Sequence, residues 1–217
     1  GLTPVADVYL RRGGRNINEG AAPRLLIRGS FSRALIELDE DEIAAELGGR
    51  ALVSAHLELQ IDGPRAQGWG NAGGALRLHR MTQPWSEGNG HYYGVRPRGD
   101  RSRGSGPGAT WWCGTDAAIQ NRARDCNGTD WWMRHPPRND RRGIENPWLA
   151  TPTDTVAISN DQTGTVRLDV TADVRAFLSG APNHGWVLSR EASSGGGTVW
   201  LSSKEGPVPP KLVLTTR

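Results

Sequence analysis

Two tryptophan pairs flank a cysteine pair in the middle of this chain: Trp111-Trp112-Cys113, then Cys126 and Trp131-Trp132. Arg122, Arg124, Arg134 and Arg138 are interleaved with them. An indole plane stacks on the apolar C–H face of a sugar ring, and a guanidinium holds carboxylate or sulfate oxygens in bidentate fashion. Together these types make a candidate ligand platform for an acidic glycan. Neighbouring side chains on an extended segment point to opposite faces, so about one ring of each pair is expected outside. The same four rings also suit a small core of their own, or an interface with a partner protein. Cys113 and Cys126 have twelve residues between them in a Gly-rich stretch, which fits a disulfide. Closing a loop of that length stabilises by about 3 kcal/mol. A disulfide implies an oxidising compartment, hence a secreted or cell-surface protein.

A second candidate group is His91-Tyr92-Tyr93 with Arg96. In polysaccharide lyases a Tyr or His removes the proton alpha to a uronate while an Arg stabilises the developing charge. If the chain is an enzyme, these four residues are its candidate catalytic set. No nucleophile elbow, HExxH, P-loop or dinucleotide fingerprint is present. The turn Trp85-Ser86-Glu87-Gly88 is the sharpest local motif. Trp85 is expected to cover an edge of the fold, and Glu87 to anchor the loop through backbone N–H groups or Arg80.

Charge points to the same central segment. Residues 89–150 hold ten Arg against six acids, whereas the whole chain has a formal net charge of +3. Lysine is limited to Lys204 and Lys211, so cationic contacts here are planar and bidentate rather than diffuse. This mild charge, with no nucleic-acid fold signature, argues against a nucleic-acid partner. No apolar run is long enough to span a membrane.

The elements that position these residues read as strands. Val5–Leu10, Leu25–Arg28, Ser32–Leu38 and a long alternating Ala51–Ile61 come first, with Ala75–Met81 after them. Asp39–Leu47 is expected to be a short helix, with an acidic first turn and Gly48-Gly49 at its end. From 89 to 153 the alternation disappears. A stretch of that length is either disordered or folded by its own aromatics and disulfide, and its five Trp favour order. Strands resume at Thr155–Ile158 and Gly164–Val170. Thr171 is expected to cap a helix over 172–178, and Trp186–Leu188, Val199–Ser202 and Lys211–Thr215 close the chain. About ten strands with no βαβ rhythm predict an all-β, antiparallel two-sheet jelly-roll sandwich. It would carry two short helices and a long disulfide-stapled insert, 89–153, within one domain spanning 1–217.

Several short segments carry a family pattern. They are Ala6-Asp7 with Tyr9, Arg33-Ala34-Leu35-Ile36, Val53 to Leu59, His79 to Gly88, Leu168 to Val174, Asn183 to Leu188, Ser202-Ser203-Lys204-Glu205 and Pro209 to Leu214. In this order the chain resembles the secreted bacterial DNRLRE-type domains, related to carbohydrate-binding modules of the alginate-binding kind. The resemblance covers residues 5–88 and 155–215 and implies a jelly-roll-like sandwich, extracellular location and binding of an acidic polysaccharide. Residues 89–150 depart from the pattern. β-Sandwich binding modules often hold a structural Ca2+ on carboxylate and backbone oxygens. Asp7, Glu19, Asp169 and Asp173 are the candidate ligands, and no other cofactor is required. The expectation is therefore a non-catalytic module for an anionic polysaccharide. A surface or matrix domain that binds a protein partner, and a lyase or metal-dependent enzyme, are the alternatives.

Overall fold

The computed structural model describes residues 1–14, 16–62, 73–93, 98–127, 146–190 and 197–217. Ten strands and two α-helices form among them. β1 (Ala6–Arg11), β3 (Ser32–Glu37), β8 (Trp186–Arg190), β5 (Gly74–Arg80) and β6 (Asp154–Ile158) make one antiparallel sheet, in the order β1-β3-β8-β5-β6. The second sheet is organised on the long strand β4 (Leu52–Ile61). β7 (Gly164–Asp169) pairs along one edge of β4. On the other edge, β10 (Lys211–Thr216) pairs first and β9 (Val199–Ser202) takes over at Ile61, followed by β2 (Arg24–Ile27). The result is an all-β two-sheet sandwich of jelly-roll-like layout.

Alternation explains the core between the sheets. Tyr9, Ala34, Ile36, Leu76, Leu78, Trp186 and Leu188 point inward from the first sheet. They meet Ala55, Leu57, Leu59, Ile61, Val166, Leu168, Leu201 and Leu212 from the second. α1 (Glu40–Leu47) adds Ile43 and Leu47 to this core. The Asp39 carboxylate accepts the N–H groups of Asp41 and Glu42 at its start, and Gly48 ends it in the left-handed region at φ 56°. α2 (Thr171–Leu178) adds Val174 and Phe177, and the Phe177 ring lies 5.5 Å from that of Trp186. Thr171 is the first helical residue rather than the cap. Its hydroxyl is drawn to Ala55, whose N–H it accepts at 2.9 Å, and its own N–H goes to Asp169.

The first sheet is buried on both faces. Val8, Leu10, Leu35 and Val187 point away from the sandwich core and pack with Met81, Trp85, Ala109 and Trp111. Trp112 and Trp148 lie half-buried against this second cluster. The insert is therefore a third layer that closes over the outer face of the sheet. Among its described residues it forms no strand. Isolated bridges (His91 to Ser102, Gly108 to Asp116, Asp116 to Cys126) and the disulfide Cys113–Cys126 hold it. Met81 bridges Trp148 at the far end.

Candidate functional site

The root of the insert is organised by three consecutive residues, Asn18, Glu19 and Gly20, all buried. The Asn18 amide donates to the carbonyls of Glu87 (2.6 Å) and Ala109 (2.8 Å). Its oxygen accepts the N–H groups of Gly20 (3.0 Å) and Gly90 (2.8 Å). Glycine is required around it. A Cβ on Gly88, which sits at φ 77°, would come within 2.6 Å of the Asn18 amide. Glu19 takes the next step, accepting the N–H of Tyr92 at 3.0 Å and of Tyr93 at 2.8 Å. Burial pushes its carboxyl up to about 7, against the lowering effect of those two N–H groups. Burial also raises the Tyr9 phenol, with the Glu19 charge adding to it.

These bonds present Tyr92 and Tyr93 at one end of the sandwich, their rings edge to face at 5.4 Å. Arg11 lies 3.7 Å over the Tyr93 ring and Arg101 lies 5.3 Å over that of Tyr92. Next to Arg11, Arg12 donates its backbone N–H to the Phe31 carbonyl. Phe31 is 54 % exposed, and both Arg12 and Arg28 reach 5.8 Å from its ring. On the other side, Arg103 bonds the carbonyls of Asn16 and Asn121, and Asn16 bonds that of Arg122. Pairwise contacts thus link exposed Phe31 and Arg122 to the half-buried Tyr92 and Tyr93 through Arg11, Arg12, Asn16 and Arg103. Arg11, Arg12, Arg28, Arg101, Arg103 and Arg122 make no ion pair among the described residues. Arg28 and Arg122 are the exposed members of this group, and Arg11 also faces the buried Glu19 carboxyl.

Of the four rings of the tryptophan platform expected from the sequence, Trp111 and Trp112 lie among the described residues. Trp111 is buried in the second core, at 5 % exposure, because its neighbours on the sheet are apolar. Trp112 is half-buried with Arg124 5.9 Å over its ring. Of the expected arginines, Arg122 joins the basic end and Arg124 stays with Trp112. Trp131, Trp132, Arg134, Arg138 and Arg96 lie outside the described residues. Of the candidate catalytic set, His91 is half-buried and bridged to Ser102, while Tyr92 and Tyr93 are held through their backbones by Glu19.

Trp111 and Trp148 instead flank Arg33 on β3, whose guanidinium carbon is 5.5 Å and 4.7 Å from the two rings. Arg33 has no carboxylate partner among the described residues, its Nη1 is shut from solvent without a hydrogen bond among them, and burial pulls its pKa down to about 10. Stacking of this kind contributes about 2 kcal/mol when desolvated, and an orphaned buried donor costs a similar amount. Arg33→Met is therefore expected to leave stability within about 1 kcal/mol of wild type or to raise it. A loss above about 3 kcal/mol in urea denaturation would show that the cation is a net asset.

A second constellation lies beside the root of the insert. Asp7 on β1, Glu87 in the Trp85–Gly88 turn and Glu205 in the turn after β9 each bring one carboxylate oxygen within 4.8 Å of the others. This trio can coordinate a divalent ion. Glu87 anchors its turn as expected through a backbone group: it accepts the Asp7 N–H at 2.7 Å. The partner of its other oxygen is Lys204 Nζ at 3.0 Å, not Arg80. Arg80 lies 3.8 Å from Asp173. Trp85 sits in the second core and donates Nε1–H to the His184 carbonyl. Lys204 also reaches Glu205 at 3.3 Å, and its backbone N–H goes to Asp7 Oδ2 at 2.6 Å. Burial raises the Asp7 carboxyl to about 8, with the Glu205 and Glu87 charges adding and the Lys204 N–H opposing.

The four carboxylates expected to share a calcium ion are not gathered into one cluster. Asp7 alone joins the trio. Glu19 is committed to the Tyr92 and Tyr93 backbone. The Thr171 hydroxyl and, after it, the Thr171 N–H that Asp169 accepts hold the Asp169 carboxyl below the usual range. Asp173 accepts Trp186 Nε1–H at 2.8 Å and the Thr153 hydroxyl at 2.5 Å. Asp169 and Asp173 are thus both committed to hydrogen bonds that hold the fold. Glu87 was visible as part of a motif, whereas Glu205 and Lys204 carried no metal-spacing signal. Set against known proteins, the chain matches no protein-family model and no curated protein.

Proposed function

We propose that this chain is a non-catalytic extracellular module, of the DNRLRE type, that binds an anionic polysaccharide and carries calcium as a structural ion. The observation that carries this reading is the set of four arginines, Arg11, Arg12, Arg28 and Arg101, that lie over Tyr92, Tyr93 and Phe31 and form no ion pair among the described residues. A pyranose ring lies on an aromatic plane through its C–H face, while a flanking guanidinium grips a uronate or sulfate oxygen pair. Repeating the aromatic and cationic pair along a surface suits a repeating acidic polymer better than a single small anion. Calcium, a hard ion that takes oxygen ligands, suits the carboxylate trio.

The test is calorimetric titration with polyuronates, sulfated glycans and a neutral glucan. Saturable binding of the acidic polymers, weakening with added salt, is expected. Arg11→Ala, Arg101→Ala and Phe31→Ala are each expected to weaken it about tenfold, a loss of about 1.4 kcal/mol. Equal binding of the neutral glucan, or affinity indifferent to all three substitutions, would reject this surface. Release of unsaturated uronate from the polymers would replace the module by a lyase.

A further inference from the structure

We propose that Asp7, Glu87 and Glu205 form a divalent-cation site for which the Lys204 ammonium is a built-in placeholder, so that the incoming cation binds by displacing Lys204. The proposal takes up the calcium named above and is independent of whether any glycan binds.

Three observations carry it. The first is spacing. Carboxylate oxygens sit about 2.3–2.6 Å from Ca2+, so two ligand oxygens of one ion are at most about 5 Å apart. The three oxygens, all within 4.8 Å of one another, already satisfy that limit without movement of the backbone. Mg2+, at about 2.1 Å, would need the trio to contract.

The second is an orphaned acceptor. Asp7 is 1 % exposed, and its Oδ1 is closed to solvent with no hydrogen-bond partner. Its other oxygen is taken by the Lys204 backbone N–H. A buried carboxyl oxygen left in that condition is unfavourable whether or not it carries a proton, and a cation that takes the place of any proton gives it a partner.

The third is the lysine itself. One ammonium already occupies the neighbourhood and bonds two of the three carboxylates, at 3.0 and 3.3 Å. It marks where positive charge is stabilised, and it leaves the Asp7 carboxylate without a direct bond to that charge. The Lys204 side chain is one-quarter exposed, so its flexible stem can carry the ammonium out to solvent. Its backbone N–H would still hold Asp7 Oδ2.

An ion here would join β1, the turn at the root of the insert and the turn after β9. Glu87 and Glu205 are partly exposed, which leaves room for water to complete a shell of six to eight oxygens. Three protein carboxylates and a competing lysine place the affinity in the weak range of extracellular calcium sites, with Kd about 10⁻⁴–10⁻³ M.

The experiment is calcium titration of the chelator-treated chain without glycan. It is followed by calorimetry, by melting temperature and by terbium luminescence sensitised through the tryptophans. Saturable binding with a raised melting temperature is expected. Lys204→Met should tighten binding about tenfold, and Glu205→Gln should weaken it about tenfold. Lys204→Gln serves the same purpose if the methionine variant does not fold. No saturable binding to wild type or to either lysine variant would overturn the site. So would binding that Glu205→Gln leaves unchanged. Binding that no lysine variant tightens would overturn the displacement. Arg101→Ala, which probes glycan binding, should leave the calcium titration unaltered.

Discussion

Asn18→Ala is expected to cost the fold about 4 kcal/mol, read as a large drop in the urea midpoint with the slope unchanged. The amide satisfies four backbone groups at once: the carbonyls of Glu87 and Ala109 and the N–H groups of Gly20 and Gly90. Each belongs to the junction between the first sheet and the insert. An alanine leaves all four without their partner, and the surrounding glycines have no side chain that can take over. Asn18→Asp keeps the acceptor and loses both N–H donors, so it should fall between alanine and wild type. If the alanine variant melts like wild type, the junction is held by packing and not by this residue.

Stability is expected to decline as pH rises from about 5 to about 9 in the presence of a chelator. The buried Glu19 carboxyl is pushed up to about 7 from an ordinary 4.5, so the folded chain keeps a proton that the unfolded chain has lost. Its contribution is fully present below the unfolded value and is lost as pH climbs through the folded one. The groups facing it are the Tyr9 phenol, the Arg11 guanidinium and the N–H groups of Tyr92 and Tyr93. The loss attached to Glu19 is on the order of 3 kcal/mol. Glu37, also raised to about 7 by burial and by the Asp39 charge, moves in the same sense, as does Asp7. Urea denaturation across this range checks the slope, and Glu19→Gln should flatten it. A profile of Glu19→Gln parallel to wild type would assign the slope to other carboxyls.

The strands were legible because one face of each had to be apolar. The alternation of Ala55, Leu57, Leu59 and Ile61 gives β4 directly, and the acidic start and double glycine give α1. The second core was harder to see. Its signal is the apolar residue on the wrong face: Val8 and Leu10 beside Tyr9, and Leu35 between Ala34 and Ile36. Read as alternation alone, those residues look like noise. They mark a sheet covered on both sides. The tryptophan pairs were conspicuous, yet for Trp111 that prominence reflects packing. The cationic aromatic surface was only partly visible, through Tyr92 and Tyr93. Phe31 and Arg11 join them by way of the tight turn between β2 and β3 and a strand end, both distant in sequence. The Asp7, Glu87 and Glu205 trio lies in three remote segments. No spacing rule for local ligand motifs reaches that far.

The double burial of the first sheet also bears on how such an insert arises and whether it can be removed. An ornament added to a finished sandwich would rest on a polar sheet face and could be trimmed back to the simpler form. Here Val8, Leu10, Leu35 and Val187 are already committed to the layer above them. A chain shortened across the insert would turn that face to water as one continuous apolar patch and would self-associate. The graft and its host surface must therefore change together, and anyone moving this loop to another scaffold has to move the outer face of the sheet with it.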